Sequence, residues 1–543
     1  MIIAALLPLL AAYPACGQQS DDDRFKDIEK RLQKVERDEG TDRVHFTGDF
    51  RFEAHSIQAT MPDHFDGMKL QNLLVNTMFY FNRHFDGVDP MTGFPPSVTA
   101  IGDEVRNNYG DYLYFVNGLT FAQIKQFIGG FDPASQQLLM GMILPGTFTK
   151  GYRADNAILY TSRLRLQMQA DVAENISFAG RLSMYKPWGD ATGVQVFNGQ
   201  SNSLNIDGTT GNVPNSDILR VERAYFDWKN IGGLPVYLSI GRRPSTGGPP
   251  LHLREDEPRG GTPLGVVIDF QFDGITAGWH INDQSVLRLC YGLGYESGFG
   301  SGEQLRQPAD RIKDAHFLGV NWDVLDNEHT YLQATAARAF NVPDGFNGLV
   351  VLPNNPVTGA PIGAPLVMRF TPSSNLGNID LASFLAFRTD GPLDYFASYS
   401  YMRSDPNGGT TPFGGLFSDP FETPAKQHGS LVYLGARYTF KNKATKVGVE
   451  FNHGSKYWFS FVNAADDIIA PKTDTRGNVW ESFLTHRIAK RFIAKLDFIR
   501  YQYEYSGSGW HLGTPKKLDA TPILGFPTYD TASKVSLGLT ARF

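Results

Sequence analysis

The strongest constraint on this chain is a two-residue alternation of apolar and polar side chains, sustained over segments too long for an ordinary soluble sheet. From Val44 the sequence reads VHFTGDFRFEAH. Val44, Phe46, Gly48, Phe50, Phe52 and Ala54 share one face, and His45, Thr47, Asp49, Arg51, Glu53 and His55 share the other. A period of two marks a β-strand, because successive side chains leave a pleated backbone on opposite sides. The pattern returns over 163–172, 176–185 and 432–440. It closes the chain, where Val535, Leu537, Leu539, Ala541 and Phe543 oppose Lys534, Ser536, Thr540 and Arg542. Soluble sandwiches alternate too, so length decides. These segments run roughly 10–13 residues, against a mode of about 5–6 for soluble strands and about 9–11 for a tilted membrane strand.

About sixteen strands are predicted, near 44–55, 159–172, 175–186, 217–229, 234–242, 265–280, 284–295, 314–325, 328–340, 378–390, 393–403, 428–440, 444–459, 476–488, 491–505 and 532–543. Short turns alternate with long loops at 56–158, 187–216, 243–264, 296–313, 341–377, 404–427, 460–475 and 506–531. That asymmetry and an even strand number predict an all-β membrane protein. Its fold is a closed antiparallel up-and-down barrel with short periplasmic turns and long external loops. Closure follows from backbone chemistry, since each unpaired N–H or C=O in hydrocarbon costs several kcal/mol. Trp228, Trp322, Phe440 and Phe543 fall at strand ends where a periplasmic aromatic girdle belongs.

The remaining composition agrees. With 56 glycines and 32 prolines the chain is not mostly helical, and a net charge of -6 gives no sign of a nucleic-acid partner. Ile2 to Ala12 is an apolar run broken at Pro14, and Ala15-Cys16-Gly17 suits a cleavage site, so 1–17 reads as a signal peptide. Lipidation of Cys16 fits less well behind Tyr13 and Pro14. Cys290 is then the one cysteine left, and no intramolecular disulfide is expected.

Residues 18–42 are expected to form a periplasmic helix or short coiled coil, with Phe25, Ile28, Leu32 and Val35 at a/d spacing. The Asp21–Arg37 stretch is thus a candidate arm for a periplasmic partner or for self-association as a homotrimer. The barrel domain is assigned to 43–543, and its 56–158 loop to a folded insertion, with helical spacing at 69–81, at Phe121, Ile124 and Ile128, and over 135–144. It is placed on the outer rim in preference to the lumen.

Strand parity directs Arg51, Arg163, Arg165, Arg181, Arg223 and Arg242 inward, with Asp49, Glu53, Asp171 and Asp227 among them. Asp269, Asp273, Asp323, Arg388, Arg437, Glu450, Glu481, Lys495, Asp497 and Arg500 follow farther round, and a bulge near Ile499 is expected to turn Tyr501 and Tyr503 outward. The third long loop, RRPSTGGPPLHLREDEPRGG, carries an acidic knot of Glu255, Asp256 and Glu257. Folded into the lumen against the arginines, it makes a transverse field that favours polar solutes; left outside, it is a solvated charge run. There is no G-x-S-x-G, H-E-x-x-H, P-loop, dinucleotide fingerprint or haem attachment motif, so neither enzyme nor cofactor is indicated.

RLRLQMQADVAENISFAGRLSMYKPWGD at 163–190 and GVEFNHGSKYWFSFVNAADD at 448–467 resemble a porin-like family of Gram-negative outer-membrane proteins of uncharacterised function. The resemblance implies fold and location in the outer-membrane bilayer, with no catalytic residues. Phe543 behind alternating apolar residues resembles the signal read by the outer-membrane assembly machinery. The reading that follows is a passive or weakly selective diffusion channel for small hydrophilic solutes. The alternatives are the barrel sheath of a porin–cytochrome electron conduit and a structural outer-membrane tether.

Overall fold

The computed structural model describes residues 44–543 apart from 89–90, 120, 190–195, 198–215, 300–304, 346–347, 352–366, 371, 412–413, 421, 520 and 526–527, and before them only 26 and 28–31. The signal segment and the seam residues Phe25, Leu32 and Val35 lie outside the described residues; 28–31 are helical and Ile28 is exposed.

Sixteen strands form one ring. They are β1 (Val44–Met61), β2 (Tyr152–Ala173), β3 (Ile176–Pro187), β4 (Ser216–Lys229), β5 (Val236–Arg242), β6 (Asp273–Asn282), β7 (Ser285–Tyr295) and β8 (Ala315–Asp326). Then follow β9 (Thr330–Pro343), β10 (Asn375–Asp390), β11 (Leu393–Pro406), β12 (His428–Thr439), β13 (Thr445–Gly454), β14 (Gly477–Ala489), β15 (Phe492–Tyr503) and β16 (Thr531–Arg542). Each pairs antiparallel with its neighbours, and β1 pairs with both β2 and β16, so no edge remains. Gly48 and Phe543 exchange backbone hydrogen bonds of 2.9 Å at the seam.

The two faces separate as the alternation predicts. Phe50, Leu434, Leu496, Val535 and Leu537 are exposed on the outside, while Arg51, Arg163, Tyr433, Asp497 and Ser536 are buried inside. Trp228, Trp322, Phe440 and Phe543 all face out at the short-turn end. A continuous apolar exterior on a closed sheet is compatible only with hydrocarbon, and barrels of this construction belong to the bacterial outer membrane.

Several expectations need correction. The predicted strand at 265–280 begins only at Asp273; Val266, Val267 and Ile268 lie fully buried inside the ring. The 444–459 strand stops at Gly454, and Trp458 and Phe459 turn inward instead. β1 and β2 run on to Met61 and start from Tyr152, which shortens the insertion to 62–151. No register shift occurs near Ile499: Tyr501 and Tyr503 are buried inside, and Arg500 points out. The reason is that infolded loop residues pack against part of the inner wall. Inward Phe317, Leu381, Leu385, Phe396, Met402 and Tyr433 pack with loop residues Leu253, Leu264, Phe417 and Trp458 in one core, so aromatic and aliphatic inward positions are satisfied there.

Among the described residues the insertion holds five α-helices, α1 (Gly67–His84), α2 (Val98–Asn107), α3 (Tyr109–Asn117), α4 (Phe121–Gly129) and α5 (Pro133–Ile143). Ser97 and Asp132 cap α2 and α5 by accepting from Ala100 N and from Ala134 N and Ser135 N. Leu70, Leu73 and Leu74 of α1 bury against Ile101, Leu139 and Ile143, and Leu524 of the last long loop packs on that core. The helices therefore stand with the long loops, at the end opposite the termini.

Candidate functional site

Two loop segments fold into the ring. The first, 243–272, leaves β5 through Gly241, whose φ of 126° no β-carbon would tolerate so close to Ala224 O. It doubles back at Gly248, where an added Cβ would lie 2.0 Å from Pro263 O. Arg223 of β4 fixes the return, donating to Gly260 O at 2.8 Å and to Thr246 O at 2.6 Å. Glu222, beside it through a bulge in β4, pairs with Arg181 at 3.1 Å.

The acidic knot is at the tip, and it lies inside. Asp256 sits in the left-handed region at φ 49°, which breaks the local direction and fans three consecutive carboxylates toward different walls. Glu255 meets Lys495 of β15 at 2.7 Å and Arg51 of β1 at 3.4 Å. Asp256 meets Arg437 of β12 at 3.1 Å and Lys446 of β13. Glu257 meets Arg165 of β2 at 2.5 Å. Arg542 of β16 donates to Asp256 O at 3.1 Å. A segment rooted between β5 and β6 whose tip touches the arc from β12 round to β2 crosses the lumen.

The second segment, 455–476, was not anticipated as an inward element. Its backbone runs alongside the first: Asp269 N donates to Phe461 O at 2.7 Å and Ala464 N to Asp269 O at 2.8 Å. Asp466 at its tip takes both terminal nitrogens of Arg51, at 2.5 and 2.8 Å, and also pairs with Arg163. Asp467 pairs with Arg254 at 2.6 Å, and Arg254 reaches Glu481 of β14 at 3.1 Å. Lys472 inserts between Glu450 and Glu481, cross-strand partners on β13 and β14, with Tyr433 also on Glu450. The sequence signal was present in the loop itself, where Trp458, Phe459, Phe461, Val462, Ile468 and Ile469 are too apolar for a solvated connection.

The predicted residues thus divide. Arg51, Arg163, Arg165, Glu255 and Glu257 converge on one cluster, with Asp256 beside it against β12 and β13; Arg223 braces the first segment, and Arg181 pairs with Glu222, which accepts from Thr246 of that segment; Glu450 holds the second. Arg242 does not belong. It pairs with Asp273 at 3.3 Å, and Asp273 is largely exposed on the outer face, because Leu238 and Ile240 on the same parity cross from the outward Trp228 and Phe226. Arg388 is likewise half exposed outside, against Asp390. Inward Arg243, which pairs with Asp227 at 3.6 Å, takes the place assigned to its neighbour.

Electrostatics lock the tip. Burial opposes ionisation of Glu255, yet Lys495, Arg51 and Arg254 outweigh it and hold the carboxyl well below the usual range. Burial likewise opposes Glu257, and Arg165 and Arg163 bring it down. Asp269 and Asp474 behave oppositely: burial pushes each up to about 8, against the backbone N–H of Gly247 and the Arg476 charge respectively.

Residues 153–543, from β2 to the end of the ring, match a family described as Protein of unknown function (DUF3373). The chain belongs to that family. No curated protein matches this DUF3373 chain. Among solved structures it is similar to the outer-membrane protein OmpT of Vibrio cholerae, at 10% identity and a TM-score of 0.37, covering 72% of this chain and 92% of that one. It is also similar to the outer-membrane channel DcaP of Acinetobacter baumannii, at 10% identity and 0.38, covering 92% and 97%. OprB of Pseudomonas putida gives 10% and 0.40, covering 93% and 96%.

Proposed function

We propose that this DUF3373 protein is an outer-membrane diffusion channel for small hydrophilic solutes, narrowed by the two infolded segments. The observation that carries the reading is the charged tip 255–257, on a segment rooted between β5 and β6, held by arginines and lysines on the far arc of the wall from β12 round to β2. Opposed fixed charges at a constriction orient hydrated dipolar solutes and disfavour apolar ones. The sheath reading needs a lumen wide enough for a threaded cytochrome, and here Trp458, Phe417 and Leu253 take up part of it from the chain itself. The tether reading, in which the Asp21–Arg37 stretch binds a periplasmic partner, is compatible with a channel. Reconstitution into planar bilayers tests the proposal: stepwise conductance supports it, and persistent silence of correctly folded protein removes it. Glu255→Gln with Asp256→Asn should shift the reversal potential toward anions; an unchanged potential would place the tip outside the ion path.

A further inference from the structure

A row of charges on β9–β11 faces away from the lumen. Arg338 of β9, Asp380 of β10 and Arg403 of β11 are successive cross-strand partners. Their chain neighbours Ala337, Ala339, Ile379, Leu381 and Met402 are buried inside. All three side chains therefore leave the ring outward, as do exposed Leu318, opposite Arg338, and Tyr401, two residues before Arg403. A charge on this face is costly at the bilayer midplane and nearly free at its edges, so height decides what the row can do. Along β10 the next outward charge is Arg388 at the short-turn end, with Ala382, Phe384 and Ala386 between. Eight residue steps of about 3.3 Å, tilted by roughly 40°, set the two charged rows about 20 Å apart across the membrane. A barrel's apolar band is about 25 Å tall, so the Arg338 row stands at its long-loop edge, level with the headgroups of the outer leaflet.

At that edge two carboxylates hold three cations. Asp380 accepts from Arg338 at 3.0 Å and from Arg403 at 2.7 Å. Asp405 accepts from Arg338 at 2.8 Å and from Lys426 at 3.0 Å. The set keeps one positive charge in excess. It is also layered: the side chains of Arg403 and Lys426 are 45% and 64% exposed, those of Asp380 and Asp405 only 26% and 28%. The acids thus lie nearer the wall and the cations outermost. Arg403 gives its Nε and Nη2 to Asp380, and its Nη1 makes no hydrogen bond among the described residues. Toward the membrane centre, Phe384, Tyr399 and Tyr401 present exposed apolar surface to acyl chains.

We propose that Arg338, Arg403 and Lys426 form a site for the phosphate headgroup of an outer-leaflet glycolipid. Charge complementarity selects a phosphate, and position selects a lipid, since the cations rim an apolar wall that acyl chains cover. Arginine suits the task because its planar fork holds a carboxylate on one edge and keeps donors for a phosphate oxygen on another. The carboxylates fix the cations in place before the lipid arrives, which lowers the ordering cost of binding. The site is on the outside of the ring and stands whether or not the lumen conducts.

Native mass spectrometry of the full chain in detergent reads the site, with lipid A, its dephosphorylated form and inorganic phosphate as probes. The parent chain should retain lipid A in preference to the dephosphorylated form. Arg403→Gln with Lys426→Gln should weaken lipid A retention by about tenfold or more, the size expected for lost charge-assisted contacts. Arg500→Gln removes an outward charge elsewhere on the wall and should leave retention unchanged. Mobility in unheated gels checks that each variant is folded. Equal retention of the two forms of lipid A, or no loss in the double variant, overturns the inference. So does an equal loss in Arg500→Gln, or displacement of lipid A by inorganic phosphate at a matched concentration, which would make the site one for free anions.

Discussion

Lys472→Met is the sharpest perturbation of the second infolded segment. The ammonium is buried between Glu450 and Glu481, which face each other across β13 and β14. Methionine retains most of the stem's packing and removes the charge, so two buried carboxylates are left without their shared partner. Removing one member of a buried ion pair costs about 3–5 kcal/mol. Glu481 keeps Arg254 at 3.1 Å, which puts the expected cost toward the lower end of that range. The cost falls on docking of 455–476, because the ring's own hydrogen bonds are untouched. At 1.36 kcal/mol per decade, local opening should rise by roughly 10²–10³-fold. Hydrogen exchange in detergent reads this at the amides of Ala464, Asp474 and Thr475, which bond to Asp269 O, Pro471 O and Lys472 O. Strand amides of β14 should not change. Glu481→Gln in the same chain should recover part of the loss, since one buried charge is gone. Exchange within threefold of the parent would refute the argument, because a merely solvated lysine is worth that little.

Acidification should show two opposed trends. Asp269 and Asp474, raised to about 8, favour the docked state more as pH falls from 8 toward their ordinary range. Glu255 and Glu257, held low, contribute fully above the ordinary carboxylate range and lose that contribution as pH falls through their lowered values. Limited proteolysis of the segments should therefore be slowest between about pH 4 and 6 and rise on both sides; a monotonic profile would contradict the assignment. On the exterior, Leu537→Arg places a charge beside Leu496 on the lipid face and should destabilise insertion into vesicles by about 2–4 kcal/mol in a folding titration. A shift below about 0.5 kcal/mol would mean that this face is not in lipid.

The ring was largely legible because alternation reports which residues share a face, and closure then follows from the need to pair every backbone group. Val535, Leu537 and Phe543 faced lipid as the pattern required. What alternation does not report is the solvent on each side. Strand parity read from sequence directs Arg242, Arg388 and Arg500 inward, but in the ring they share parity with outward apolar residues, Ile240 opposite exposed Phe226, Phe384 and Phe498. Tyr501 and Tyr503 were turned outward for the mirror-image reason. Both errors share one cause: a lumen filled by its own loops buries aliphatic and aromatic residues on the inner face as well. For the same reason Gly265 to Phe272 read as a strand, since a buried lumen segment has the composition of one. The acidic knot was legible as a candidate, but its partners came from strands up to 287 residues away, and only closure brings them together.

The most direct test of the account is a cross-link between the first infolded segment and the inner wall. Leu264 N lies 3.5 Å from Thr335 Oγ1 of β9, so Leu264→Cys with Thr335→Cys, in a Cys290→Ser background, should form a disulfide in intact outer membranes when copper phenanthroline is added as oxidant. Its mobility in unheated gels should match the folded monomer. If the pair stays reduced and Leu264→Cys reacts readily with a bulky maleimide applied from outside, the charged loop does not enter the barrel.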